Sequence, residues 1–160
     1  MKFLARGLMA ALVLGAAACG ATTLAQEPEL AGVASVIDGD TIVIHGTHIR
    51  LSGFDAPEHG RMCGQVNVYQ RASNELDGFI AGRTVHCAPN GEMTHGRTVA
   101  ICTVGGVDLG QHMVSQGWAR DWPRFSHGRY AAAEASARAA HHGLWGLDCP
   151  ADLWGNRNYD

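Results

Sequence analysis

Val33-Ala34-Ser35-Val36-Ile37-Asp38-Gly39-Asp40-Thr41-Ile42-Val43-Ile44-His45-Gly46-Thr47-His48-Ile49-Arg50-Leu51-Ser52-Gly53-Phe54 is three short β-rich runs separated by turn chemistry. Residues 33–37 end at the turn dipeptide Asp38-Gly39, and residues 41–44 end at His45-Gly46-Thr47. Residues 48–54 alternate apolar and polar side chains with the period of two that a half-buried strand requires. Turns this tight join neighbouring strands that run antiparallel, so the stretch predicts a three-stranded meander.

Downstream the period changes. Val68, Ala72, Leu76, Phe79 and Ile80 fall three and four apart on one helical face, and Gly82 supplies a stop. Residues 83–88 and 97–104 read as two further strands. Pro89-Asn90-Gly91-Glu92-Met93-Thr94-His95-Gly96 between them reads as a polar loop. Residues 109–116 form a short helix stopped by Gly117, and residues 130–142 an alanine-rich helix ended by Gly143, after which Leu144-Trp145 folds back as an apolar anchor. Three strands, a helix, two strands and two helices define an α+β, mainly β domain. The order fits a five-stranded OB-type barrel with three helices, one inserted after the third strand and two C-terminal. Such barrels commonly offer a face to oligonucleotides, but fold alone does not set function.

The 160 residues suffice for one domain. Residues 1–25 read as a signal peptide: Lys2 and Arg6 form a charged start, an apolar run covers residues 8–18, and Thr23-Leu24-Ala25 places small residues at the cleavage site. Ala16-Ala17-Ala18-Cys19 gives a competing reading, a lipoprotein box with a lipid anchor at Cys19, but it lacks the usual branched residue. Residues 26–32 are then a leader, 33–147 the folded domain and 148–160 a C-terminal tail packed on it. No later segment is long and apolar enough to cross a bilayer. The expectation is an exported monomer, secreted or periplasmic, with a lipoprotein as the minority case.

Without residues 1–25 the chain keeps ten of its twelve basic residues and all fifteen acidic ones, a net charge of −5 with histidines neutral. That balance excludes a general polyanion sponge, so any contact with nucleic acid must come from a local cationic site. Every remaining cation is arginine, whose planar fork grips phosphate with two donors. Four cysteines remain, Cys63, Cys87, Cys102 and Cys149, and none has CxxC spacing. An even count in an exported domain predicts two disulfides, with three connectivities open. If the fourth and fifth strands pair, Cys87 and Cys102 face each other across the hairpin, and Cys63–Cys149 follows by elimination.

The candidate chemistry lies near the strand ends. Asp38 and Asp40 flank the first turn, Arg50 lies on the third strand, Asp55-Ala56-Pro57-Glu58 follows it, and Arg97 starts the fifth. In a meander, Asp40 and Asp55 converge at one end of the sheet. Two carboxylates, a backbone carbonyl and waters make a hard oxygen site suited to calcium, and two arginines beside it can hold the non-bridging oxygens of a phosphodiester. Taken singly, each residue has a blander reading: Asp-Gly is usually a hairpin turn, and Arg50 a solvated strand residue. His141-His142 are adjacent on a helix and do not share a face. His59 is expected in solvent, and Trp118, Trp145 and Trp154 as packing anchors.

Three segments in order, Ile37-Asp38-Gly39-Asp40-Thr41, Ile49-Arg50-Leu51-Ser52-Gly53-Phe54-Asp55-Ala56-Pro57-Glu58 and His95-Gly96-Arg97-Thr98-Val99-Ala100, resemble the successive signatures of the thermonuclease (staphylococcal nuclease) family. The stretch from Glu134 to Trp145 is similar too. The resemblance spans residues 33–145 and implies a calcium-dependent nuclease that hydrolyses DNA or RNA and leaves 3′-phosphates. It implies calcium held by the carboxylates of Asp40 and Asp55 and the carbonyl of Ala56, with Asp38 supporting the metal site. It gives Glu58 the attacking water, and Arg50 and Arg97 the scissile phosphate. His95 stands where the family often carries tyrosine and is assigned to substrate binding. Trp122, in an Arg- and aromatic-rich stretch with Arg120, Arg124 and Phe125, offers a surface for base stacking. The alternative function is a non-catalytic OB-type module that binds nucleic acid or protein.

Overall fold

The computed structural model describes residues 29–159, so the export signal, the anchor assigned to Cys19 and the first part of the leader lie outside the described residues. Five strands build the body: β1 (Leu30–Asp38), β2 (Thr41–Ile44), β3 (Thr47–Leu51), β4 (Thr84–Thr94) and β5 (Arg97–Val104). β1 pairs antiparallel with β2 and with β4, β2 with β3, and β4 with β5. A parallel pairing of β3 with β5, through Ile49↔Thr98, Arg50↔Val99 and Leu51↔Ala100, closes the ring. The barrel is therefore mixed. The antiparallel meander is present, and the one parallel contact arises because a helix and β4 intervene before the chain returns beside β3.

The third strand ends at Leu51, earlier than the alternation suggests. After the Ser52-Gly53 turn, Phe54–Asp55 forms a separate short pairing with Arg120–Asp121. The expected loop 89–96 is mostly strand. β4 runs to Thr94 with a register shift between Pro89 and Met93, which accommodates the proline and the asparagine-glycine pair without ending the ladder. The reversal itself takes two residues, His95 (φ +49°) and Gly96 (φ +77°), the mirror-image turn whose twist matches a hairpin.

The helices are α1 (Val68–Ile80), α2 (Leu109–Ser115), α3 (Pro123–Ser126) and α4 (Ala131–Ala139). α3 is a single turn with proline at its start, too short to leave a periodic signal. α1 begins where the Asn67 side chain accepts from the Gln70 amide at 3.0 Å, and it stops where Ala81 turns left-handed, one residue before Gly82. Its Ala72, Leu76 and Ile80 are buried in one core with Ile42, Ile44, Ile49 and Leu51 of the meander, Val85 and Val104 of the returning hairpin, and Met113 of α2. A second, smaller cluster joins Cys63, Val68, Leu144 and Leu153, and Trp118 packs against both. Cys87 is bonded to Cys102, its direct partner across β4 and β5, and Cys63 is bonded to Cys149. Replacing Cys87 and Cys102 together by alanine should lower the unfolding free energy by about 3 kcal/mol, the chain-entropy value for a loop of this length, read from urea denaturation.

Candidate active site

The barrel register gathers the acids and arginines onto one rim. Thr41 lies opposite Arg50 in the β2–β3 ladder, and the Leu51 amide donates to the Asp40 carbonyl at 2.8 Å, so Asp40 stands beside the end of β3. The turn that carries Asp38 and Asp40 lies hard against the next loop. A side chain on Gly39 would come within 2.6 Å of the Ala56 methyl and 2.8 Å of that of Ala72. Glycine here is what lets the first turn approach Asp55-Ala56-Pro57-Glu58 and α1.

Arg50 holds the two buried carboxylates together. Its Nη2 lies 3.1 Å from Asp40 Oδ2 and 3.1 Å from Asp55 Oδ1, and its Nη1 donates to the Leu51 carbonyl at 2.9 Å. Asp55 has no exposed surface, and Asp40 is almost as enclosed. Ala56 is placed by its amide, which donates to Asp40 Oδ2 at 3.1 Å. Asp38 accepts from the Asp40 amide at 3.1 Å and so shapes the turn. Arg97 reaches the cluster through Thr41, whose hydroxyl accepts from Arg97 Nη1 at 2.9 Å and donates to Asp40 Oδ1 at 3.2 Å. Arg97 Nε is buried and has no hydrogen-bond partner among the described residues. Glu58 is exposed at the edge of the group.

His95 and Trp122 lie apart from this cluster. His95 sits exposed at the tip of the β4–β5 hairpin, its Nδ1 3.1 Å from Thr94 Oγ1. Trp122 lines a cavity of about 420 Å³ with Arg50, Met93, Thr94 and Phe125. Its ring meets Phe125 edge-on, with centroids 4.8 Å apart. Arg50 is the residue that this cavity shares with the carboxylate cluster.

Three residues that the sequence pattern did not mark complete the site. Thr41 is the link just described. Arg157 pairs with both Asp55 and Glu58, and the Tyr159 hydroxyl donates to Asp55. Thr41 belongs to the first quoted segment but reads as an ordinary strand residue. Arg157 and Tyr159 lie in a non-periodic tail, where the only pointer is the Cys63–Cys149 pairing that ties the tail to the loop after Glu58.

The charges strain against one another. Burial pushes the Asp55 carboxyl above its ordinary value, and the Asp40 charge adds to this, while Tyr159, Arg50 and Arg157 pull it back. Asp38 is raised for the same two reasons, burial first and then Asp40. Hard oxygen donors crowded in this way, with the Arg157 guanidinium already drawn between Asp55 and Glu58, suit a divalent cation such as calcium. Among the described residues no three His, Cys, Asp or Glu side chains form a metal cage on their own.

The closed barrel with buried carboxylates and arginines on its rim is of the OB type. Residues 48–146 match the family described as staphylococcal nuclease homologue, and the chain belongs to that family. The match contains Arg50, Asp55, Glu58 and Arg97. Asp38 and Asp40 precede it and join the site through the β2–β3 register. The chain is also 34% identical over 128 residues to the succinoglycan biosynthesis protein ExoI of Rhizobium meliloti (strain 1021). That alignment covers 76% of this chain and 66% of the relative, so the chain spans just under two thirds of the relative's length. The matched family is one of nuclease homologues, and its members are typically calcium-dependent.

Gly39→Ala should destabilise the fold by roughly 1–3 kcal/mol, because the new methyl must push the turn off Ala56 and Ala72; urea denaturation reads it. Asp38 and Asp55 hold a proton more tightly folded than unfolded. In cation-free protein they therefore add stability that is complete below the ordinary aspartate value of 3.8 and is lost as pH rises through their raised values. Asp40→Asn should lower both and flatten that part of the stability–pH curve; carboxyl NMR titration in chelator checks it.

Proposed function

We propose that the protein is a calcium-dependent nuclease that hydrolyses phosphodiester bonds of DNA or RNA and leaves 3′-phosphates. The observation that carries this reading is the convergence of Asp40 and Asp55 on one Arg50 nitrogen, with the unpartnered buried Nε of Arg97 joined to the same cluster through Thr41.

In this reading the carboxylates of Asp40 and Asp55 and the carbonyl of Ala56 would hold calcium, and Asp38 keeps the Asp40 turn in place. Bound calcium supplies fixed positive charge against the negative charge that grows on the phosphate. Arg50 and Arg97 grip the non-bridging oxygens and hold the phosphate in line for attack. Glu58, the most exposed acid of the group, orients a water and takes its proton. The water oxygen bonds to phosphorus, the bond to the 5′-oxygen breaks, and that oxygen takes a proton from solvent water as it leaves. Trp122 stacks a base in the adjoining cavity. His95, at the hairpin tip, meets the substrate farther out. The two disulfides fit work outside the reducing cytoplasm, and among the described residues no helix is long and apolar enough to cross a membrane.

Purified protein mixed with single-stranded DNA should cleave it in calcium and stop in chelator. Glu58→Gln and Arg97→Gly should each lose a hundredfold or more in rate, roughly the effect of removing one charge contact to the transition state. Tight binding without cleavage in calcium would instead identify a binding module. Wild-type rates in both variants would remove these residues from the site.

A further inference from the structure

The segment after Cys149 is held in two different ways. Its first part is fastened to the body. Cys149 is bonded to Cys63, Leu153 is buried in the second core cluster, and Asp152 pairs with Arg61 at 3.3 Å. The chain then turns at Gly155, which is left-handed at φ +65°. Beyond that turn the contacts are with the site itself. Arg157 pairs with Asp55 and Glu58, and the Tyr159 hydroxyl donates to Asp55. The Tyr159 ring lies 3.7 Å from the Arg120 guanidinium and 5.2 Å from the Trp122 ring. The Trp122 indole donates to the Asn158 carbonyl at 2.8 Å.

We propose that residues 156–159 form a built-in strap that competes with calcium for Asp55, with the attacking water for Glu58 and with the substrate for Trp122, keeping the site closed until the cation displaces Arg157. The proposal rests on the nuclease reading above for the identity of the cation and the polymer. Arg50 already takes Asp55 Oδ1, so Arg157 on Oδ2 leaves that carboxylate no free oxygen for an ion, and a second cation brought to the same oxygen is repelled; Arg157 also holds Glu58 away from its water. The Arg157 charge stands in for the metal and keeps the calcium-free acids neutralised. Tyr159 meanwhile covers the tryptophan ring on which a base would stack, and the backbone at Asn158 occupies its N–H. One short segment thus closes both halves of the site. Opening it leaves Leu153, Cys149 and the core untouched, since the turn at Gly155 separates the fastened part from the cover. A site competent only when the strap is open binds calcium with an apparent constant weakened by the open fraction.

The test is calcium titration of the full chain by calorimetry, beside Arg157→Ala and Tyr159→Phe. Arg157→Ala should bind calcium about tenfold more tightly or better, as a strap closed nine tenths of the time requires. Tyr159→Phe, which keeps the ring and loses only the bond to Asp55, should show a smaller gain. In chelator, Tyr159→Ala should bind a short oligothymidylate more tightly than the full chain, read from tryptophan fluorescence. Unchanged or weaker calcium affinity in Arg157→Ala overturns the strap, as does a chain that binds no calcium with or without Arg157. Cleavage is scored separately: cleavage with equal calcium affinities removes the strap and keeps the nuclease, and tighter calcium binding without cleavage does the reverse.

Discussion

Where β3 and β5 run parallel, Arg50 lies opposite Val99, and this pairing turns an open meander into a closed barrel. Two consequences follow from the same hydrogen bonds. The ring has no free edge along these strands, which removes a template for wrong pairing. It also sets the start of β5, where Arg97 stands, beside the strand that carries Arg50, although 47 positions of chain separate the two arginines. The return passes through α1, whose buried face fills the core, and through β4, which is stapled to β5 by Cys87–Cys102. A slip of one residue between β3 and β5 would turn Arg97 away from Thr41 and the carboxylates.

The rim that this closure creates is electrostatically expensive. Asp38, Asp40 and Asp55 are crowded enough that burial and mutual repulsion raise two of them, and Arg50 is the cation that makes the buried pair tolerable. The same arginine is assigned to the phosphate in the proposed mechanism, so it both holds the carboxylates together and meets the substrate. Arrangements that weaken a fold while preparing a site are common where charge must be stabilised during a reaction. Thr41 extends the coupling: its hydroxyl joins Arg97 to Asp40, so the proposed cation and phosphate subsites share one hydrogen-bonded chain.

Most of the barrel is legible in the sequence because its signals are local. Period-two runs with Asp-Gly and His-Gly turns give the meander, and the 68–80 face gives α1. The stretch 89–96 misleads because Pro-Asn-Gly composition marks a loop, whereas a register shift lets the ladder absorb those residues and only His95 and Gly96 turn. α3 is a single turn and shows no period. In the site, the acids and arginines that cluster in short motifs can be found from order and spacing. Arg157 and Tyr159 cannot, because their placement depends on a long-range bond, Cys63–Cys149, and on docking against Trp122 and Arg120.

The sign of the whole chain bears on how such a site would meet its polymer. Without residues 1–25 it carries a net charge of −5, so the far field repels a polyanion, and attraction must arise within a Debye length of the rim. At that range the four acids Asp38, Asp40, Asp55 and Glu58 oppose Arg50 and Arg97 unless a cation is present. Under the proposed mechanism calcium therefore does more than assist the reaction: its two charges cancel the local excess of acid, so that phosphate can approach the arginines. Linkage then requires the converse, that nucleic acid tightens calcium by the same factor. A guanidinium from the chain's own tail neutralises the acids without offering phosphate the same open face, which is why a resting cover and an active metal can exchange at one set of oxygens.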